Sequence, residues 1–291
     1  MPMTKFVCSD GEECLISDCL KECRLEERCM CLPALMSAGR QHFSNGKFSV
    51  TTLIKPTRQV FLETKYDFAI KPLNTIASMI GTSSHSLMEH NCPVGFLAEA
   101  RFDSDIASGS PDAVDLKNGV LWDFKFFNSF RIATLLGYRP KWKLVGKYVR
   151  GVNKGKDKWQ QVFEAGGVRD VMDIAKQLSY YKVLLEEHNI KINKINASVF
   201  IRSGLDKTAK SYGLTKVNYT VPIFPIHTSL IKKYFQMKYD RLTKALKTDT
   251  MPKVCSKKDR WDNSKSYPDR RCQDFCSVNL FCPYWLDKYG K

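Results

Sequence analysis

No apolar run in the 291 residues reaches the roughly 20 positions that a membrane-crossing helix needs. The first residues also lack the hydrophobic stretch of a secretory signal. Spanning and secreted proteins are both disfavoured, and a cytoplasmic location (host cytoplasm, were the chain viral) is expected. Acidic charge is in short supply: 30 Asp and Glu face 46 Lys and Arg, a net charge of +16. The natural counterpart of such a surface is a polyanion, nucleic acid first and an anionic membrane a distant second. The 11 cysteines cannot all pair, which argues against a closed disulfide framework. Their crowding at the two chain ends points instead to metal ligation in a reducing compartment. Otherwise the composition, 43% hydrophobic and 26% charged, is that of an ordinary soluble chain long enough for a sizeable core.

The stretch Val120-Leu121-Trp122-Asp123-Phe124-Lys125-Phe126-Phe127 follows an Asn118-Gly119 turn signal and reads as a strand. Side chains alternate along a strand, so Asp123 and Lys125 share one face, leaving Trp122, Phe124 and Phe126 to a core on the other. With Asp112 supplied from Gly109-Ser-Pro-Asp112, the two carboxylates can hold a hard divalent cation through oxygen. The lysine can steady an attacking water or the charge developing on phosphorus. A solvated edge strand with a salt bridge is the plain alternative. Phe96 to Asp103 reads as a further strand carrying Glu99, the start of an antiparallel three-strand unit.

Gly46 and a Ser/Thr cluster open a helix bearing Leu53, Val60 and Phe61. A second helix is expected over Asn74 to His90, where Gly81 permits a close backbone approach and His85 and Glu89 share a face. Val171 to Glu187 repeats apolar residues at helical spacing, and there Gln177 and Tyr181 project together. Ala197 to Arg202 and Val217 to Ile223 read as strands, and His227 to Leu246 as a basic amphipathic helix. From Arg131 to Lys158 nine Lys or Arg accompany a single Asp, interleaved with aromatic residues and without clear periodicity. Arg139, Lys141, Lys143, Lys147 and Arg150 could track phosphates while Trp142 and Tyr148 stack on unpaired bases. A solvated loop is the alternative.

The N-terminal segment contains Cys19, Cys23 and Cys29 at C-x3-C-x5-C spacing, with Cys31 just beyond. The same spacing recurs in Cys272, Cys276 and Cys282, with Cys255 upstream. Thiolates at this density suit zinc or an iron–sulfur cluster.

Taken in order, these pieces resemble the RecB-type members of the PD-(D/E)xK nuclease superfamily. The four-cysteine group is the nearest match, with its CRISPR-associated RecB-like exonucleases and AddB nuclease domains. Gly81-Thr82-x-x-His85, Gly109-x-x-Asp112, Asp123-x-Lys125, Gln177-x-x-x-Tyr181 and the cysteine triad match its motifs in order across residues 81–282. The resemblance implies an α/β fold, a mixed central sheet flanked by helices with cysteine-rich, metal-bound termini. It implies Mg²⁺ or Mn²⁺ on His85, Asp112 and Asp123, with Glu99 as an extra ligand or water-positioning group. Lys125 would orient the water, while Gln177 and Tyr181 line the site. A 4Fe–4S cluster or Zn²⁺ would sit on Cys272, Cys276 and Cys282. The family's upstream cysteine is replaced here by Lys55-Pro-Thr-Arg58, so the fourth ligand is Cys255 or one of Cys19 to Cys31, unless each end holds its own metal.

The expected function is a metal-dependent DNA nuclease, acting as an exonuclease on single strands or free ends, beside a helicase, recombination or adaptation partner. The alternatives are a non-catalytic, zinc-stabilised nucleic-acid-binding module or a nuclease subunit active only within a complex. The expected organisation is a cysteine-rich segment over 1–45, a nuclease core over 46–250 with a basic insertion at 131–168, and a cysteine-rich end over 251–291.

Overall fold

The structure is a computed structural model that describes residues 3–40 and 46–290. The segment boundary expected at residue 45 falls outside the described residues. In chain order the elements begin with β1 (Met3–Val7), β2 (Glu13–Leu15), α1 (Ile16–Lys21), α2 (Leu32–Ala38) and α3 (Val50–Ile54). Then come α4 (Thr57–Lys65), β3 (Phe68–Ile70), α5 (Ile76–His90), β4 (Phe96–Ala98), β5 (Phe102–Asp103) and β6 (Ser108–Gly109). The middle comprises β7 (Ala113–Asp115), β8 (Val120–Phe127), α6 (Ser129–Leu135), β9 (Arg139–Lys147), β10 (Asp157–Glu164) and α7 (Met172–Glu187). The chain continues through β11 (Lys194–Ile201), α8 (Lys207–Ser211), β12 (Asn218–Pro222) and α9 (Thr228–Thr248). It closes with α10 (Lys257–Arg260), α11 (Arg270–Asp274) and α12 (Pro283–Tyr289). The protein is mixed α/β and divides into two compact units. No helix among the described residues is long and apolar enough to cross a membrane.

The first unit takes Met1–Ser86, Arg101–Gly109 and Thr228–Lys291. Its sheet has the order β2-β1-β3, with β1 antiparallel to β2 and parallel to β3. Phe6, Ile16, Cys19, Leu35 and Ala38 form a small core there. Elsewhere in this unit α4 buries Val60, Phe61 and Leu62, and α9 buries Ile231, Phe235, Leu242 and Ala245, one stripe of an otherwise polar helix.

The second unit takes Leu87–Ala100 and Ser110–His227. Its five-stranded sheet has the order β12-β11-β8-β7-β4, with β8 and β11 parallel and the other pairs antiparallel. The antiparallel unit expected from β4, β7 and β8 is present. β7 and β8 join through Asn118-Gly119, where Asp115 accepts from Asn118 N at 3.1 Å and Nδ2 at 2.6 Å. Gly119 has φ +63°, and a Cβ there would lie 2.6 Å from Asn193 Nδ2 and 2.9 Å from Lys191 O, so the turn admits no larger residue without displacement. β11 is buried along most of its length, as a central strand covered on both faces requires. α7 buries residues around most of its circumference, among them Leu178, Tyr180, Tyr181 and Leu184.

Several expectations change. The first helix is two: Ser49 caps α3 by accepting from Thr52 N, and Pro56 forces Lys55 to ψ 158°, ending it before α4. The strand expected from Phe96 to Asp103 breaks at Glu99, whose φ of +48° is left-handed and cannot continue a pleat. Gly81 meets no atom within 4 Å of a built Cβ, so close packing does not explain it. On β8 the burial is opposite to expectation: Leu121 and Asp123 are buried, whereas Trp122, Phe124 and Phe126 are half-buried. The basic stretch is not structureless, since it begins in α6, a core helix burying Ile132 and Leu135, and continues as the β9–β10 hairpin.

Candidate functional site

The site builds from β8 outward. Asp123 is buried at the middle of the strand, and two residues on, Lys125 donates from Nζ to Asp123 Oδ1 at 2.6 Å. The shared face is therefore real, but it is an interior face and not a solvated one. Asp112 lies just before β7, and Phe124 N donates to its Oδ2 at 2.5 Å, which fixes that carboxylate against the β8 backbone. Carboxylate oxygens of Glu99 and Asp112 lie within 4.8 Å of each other. Glu99 N also donates to Asp112 O at 3.3 Å, so the left-handed residue is tethered where it breaks the strand. A strained conformation held in place beside a carboxylate cluster is a feature of functional sites.

The electrostatics of this group are internally consistent. Burial drives the Lys125 ammonium toward neutrality, but Asp123, Asp112 and Glu99 outweigh it and hold its pKa above the ordinary lysine value. Tyr181 on α7 has its pKa raised, mainly by burial, although the Gln177 amide hydrogen bond opposes this; Asp123, Asp112 and Glu99 add to the rise. Gln177 Nε2 donates to Tyr181 Oη at 3.2 Å. Six residues predicted from sequence thus meet in the second unit: Glu99, Asp112, Asp123, Lys125, Gln177 and Tyr181. The oxygens of Glu99 and Asp112 are close enough to share a hard cation, while Asp123 beside them carries the Lys125 ion pair. His85 is half-buried on α5, in the part of that helix belonging to the first unit.

The basic segment has a sharper geometry than its sequence suggests. The register opposes Lys141 to Val162 and Lys143 to Gln160 on one face, and Trp142 to Gln161 and Leu144 to Trp159 on the other. Cations and aromatics are interleaved in sequence but sorted to opposite faces in space. Lys141 and Lys143 both bind Glu164, at 2.5 and 2.7 Å, and pull its carboxyl down to about 2. Trp142 and Trp159 remain more than half exposed. Arg139 and Lys147 mark the two ends of β9, while Tyr148 and Arg150 lie in the exposed connection to β10.

At the C-terminus, Cys255, Cys272, Cys276 and Cys282 line one cavity of about 30 Å³, together with Pro56, Arg58 and Trp285. Among the described residues no three of these sulfurs lie within 4.8 Å of one another. Arg58 donates to Cys282 Sγ at 3.6 Å and to Pro252 O at 2.7 Å, so the Lys55-Pro-Thr-Arg58 turn reaches the cavity with a cation instead of a thiol. Trp285 Nε1 is buried with no hydrogen-bond partner in the structure. Burial and the neighbouring thiols push Cys272 up to about 12; Cys276 rises to about 11, mainly through burial. An unpartnered donor and a ring of desolvated thiols are the surroundings that a soft metal or cluster would satisfy.

Beside this cavity, Asp269 is fully buried at φ +50° and accepts from Arg260 Nε at 2.7 Å, Lys288 Nζ at 2.8 Å, Tyr284 Oη at 2.7 Å and Tyr289 Oη at 3.1 Å. Burial alone would raise its pKa, but these four donors hold the carboxyl well below the usual range. Sequence reasoning missed Asp269, because a lone Asp between Pro268 and Arg270 carries no signal of its partners. It counted Cys8 and Cys14 among the six N-terminal cysteines without naming them as ligands; their sulfurs lie 3.4 Å apart, near Cys19 on α1. Cys23 and Cys29 follow in the loop after α1, and Cys31 is exposed at the N-cap of α2.

Comparison with protein-family models, with curated proteins and with solved structures finds no match to the chain.

Proposed function

We propose that the protein is a metal-dependent DNA nuclease of the PD-(D/E)xK type, hydrolysing phosphodiester bonds at single-stranded or free ends. The observation that carries the reading is the meeting of Lys125 with Asp123, Asp112 and Glu99 on and beside a buried strand. Burying this many carboxylates around one ammonium is costly unless the group has a use. A divalent ion is the ligand that such an oxygen-rich group suits best.

In this reading Asp112 and Asp123 hold Mg²⁺ or Mn²⁺. Glu99 holds the ion or positions the water. The ion supplies Lewis-acid polarisation of the phosphate and a more acidic water. Lys125 orients that water and offsets charge on the phosphoryl oxygens. Gln177 steadies Tyr181, which closes the polar wall. The parallel β8–β11 pair with α7 in the connection, beside the antiparallel β4, β7 and β8, is compatible with the sheet that this superfamily would need.

The four-cysteine cavity would hold a 4Fe–4S cluster, with zinc as the alternative occupant, as a staple for the C-terminal segment. The β9–β10 hairpin would meet DNA with its Trp142–Trp159 face, while the lysines on the reverse act at longer range. Incubating end-labelled single- and double-stranded DNA with the protein and Mn²⁺, Mg²⁺ or EDTA tests the reading. Degradation with either metal and none in EDTA is expected. Tight, salt-sensitive binding without cleavage would favour a binding module instead.

A further inference from the structure

The N-terminal cysteines form their own constellation, distant in sequence from the C-terminal set and different in construction. Cys8 ends the β1 side of a tight hairpin, in which Cys8 N donates to Glu12 O at 2.8 Å and Gly11 N to Cys8 O at 3.0 Å. Cys14 stands on β2 opposite Phe6, and Cys19 on α1. The Cys8 and Cys14 sulfurs are 3.4 Å apart, and Cys14 packs against the small core in which Cys19 is buried. A tetrahedral zinc with Zn–S bonds near 2.3 Å sets its sulfurs about 3.8 Å apart, so the Cys8–Cys14 pair is close to a ligand-like spacing.

The loop after α1 brings more thiols to the same place. Arg28 ties it back by donating to Cys19 O at 2.6 Å and Lys21 O at 3.2 Å. Cys23 and Cys29 both lie within electrostatic reach of Cys19, and Cys29 packs on the core that holds it. Cys31 is exposed beyond that group. Arg24 pairs with Asp10, bringing a cation to the hairpin that carries Cys8. Among the described residues the surrounding core buries Phe6, Ile16, Cys19, Leu35 and Ala38. A core this small is of the size that structural metals commonly support.

We infer that Cys8, Cys14 and Cys19, with a fourth thiolate from the 22–29 loop, form a structural zinc site separate from the C-terminal cysteine cavity. The shared C-x3-C-x5-C spacing conceals this difference, because two of the ligands, Cys8 and Cys14, stand outside it. Among the described residues no three of these sulfurs mutually approach within 4.8 Å; the ion would draw Cys19 and the loop thiolate in to the Cys8–Cys14 pair.

Zinc and iron measured together on the purified full-length chain test the site. Cys14→Ser should lose one equivalent of zinc while the iron content and the metal held by the C-terminal cavity stay unchanged; Cys31→Ser should lose none. Either Cys23→Ser or Cys29→Ser should reproduce the loss and so identify the fourth ligand. Unchanged zinc in Cys14→Ser, or in both loop variants, would overturn the assignment. Should Cys14→Ser fail to fold, thiol alkylation of the zinc-loaded wild-type chain decides. Cys8, Cys14 and Cys19 should be protected until a chelator is added, while Cys31 reacts at once. Equal reactivity of Cys14 and Cys31, or a Cys8–Cys14 disulfide in the native chain, would contradict it.

Discussion

The oxygen-rich group on β8 and the sulfur-rich cavity beside α12 both gather ionisable side chains away from solvent, yet they resolve burial in opposite ways. Around β8 the buried Lys125 ammonium is kept charged, because Asp123, Asp112 and Glu99 lie about it and hold its pKa up against burial. Around the cysteines, burial and the neighbouring thiols push the pKa of Cys272 and Cys276 up and favour their protonated forms. In the proposed reading the first arrangement takes a hard cation, which would replace part of the role of the ammonium. The second would take a soft ion, whose binding must expel protons. Reaction chemistry is expected in the first and support in the second.

The contrast breaks most sharply in activity. Asp112→Asn keeps an oxygen for the Phe124 N–H but removes the charge, so single-turnover DNA cleavage should fall by about 10²–10³-fold with little change in melting temperature. A variant that cleaves normally would remove Asp112 from the site. The supporting region should instead respond in stability. Asp269→Asn leaves Arg260 and Lys288 without their shared carboxylate and should cost about 3–5 kcal/mol in urea unfolding. Because the Asp269 pKa is depressed in the folded state, its contribution is complete above the unfolded value of about 3.9 and fades as the pH falls toward the folded one. The gap between wild type and variant should therefore narrow in acid.

Smaller effects belong to the hairpin. Trp142→Ala should weaken single-stranded DNA binding by about 1–3 kcal/mol and leave its salt dependence intact, if a base stacks there. Removing one phosphate-contacting lysine should reduce the salt slope by about 0.7. Since Lys141 and Lys143 are already bound to Glu164, a full change of that size on replacing either would show that DNA displaces the carboxylate. The smallest change is expected from Glu99→Gly, which relieves a left-handed residue worth about 1–2 kcal/mol of strain. Its melting temperature should hold or rise while cleavage drops; a parallel fall in both would make Glu99 a structural residue.

Local pattern carried much of this into view. The helical period made α7 and α9 legible, Asn118-Gly119 marked the β7–β8 turn, and Asp-x-Lys alternation set Asp123 beside Lys125. What stayed hidden depends on tertiary packing. Whether the Asp123 face or the Trp122 face of β8 is buried cannot be read from a strand that is apolar on one side and charged on the other. Helix α7 and the neighbouring strands decide it. The sorting of Trp142 from Lys141 required the hairpin register, and in a Gly- and Lys-rich stretch the register is set by a distant partner strand. Cys8 and Cys14 escaped because their neighbour Cys19 approaches through a turn and a helix, not through a repeated spacing.

The most direct test compares wild type with Asp123→Asn on end-labelled single-stranded DNA in Mn²⁺, with binding measured in parallel. The account predicts metal-dependent cleavage by the wild type, none by the variant, and equal DNA binding by both. Cleavage that persists in Asp123→Asn, or that proceeds in EDTA, would contradict it.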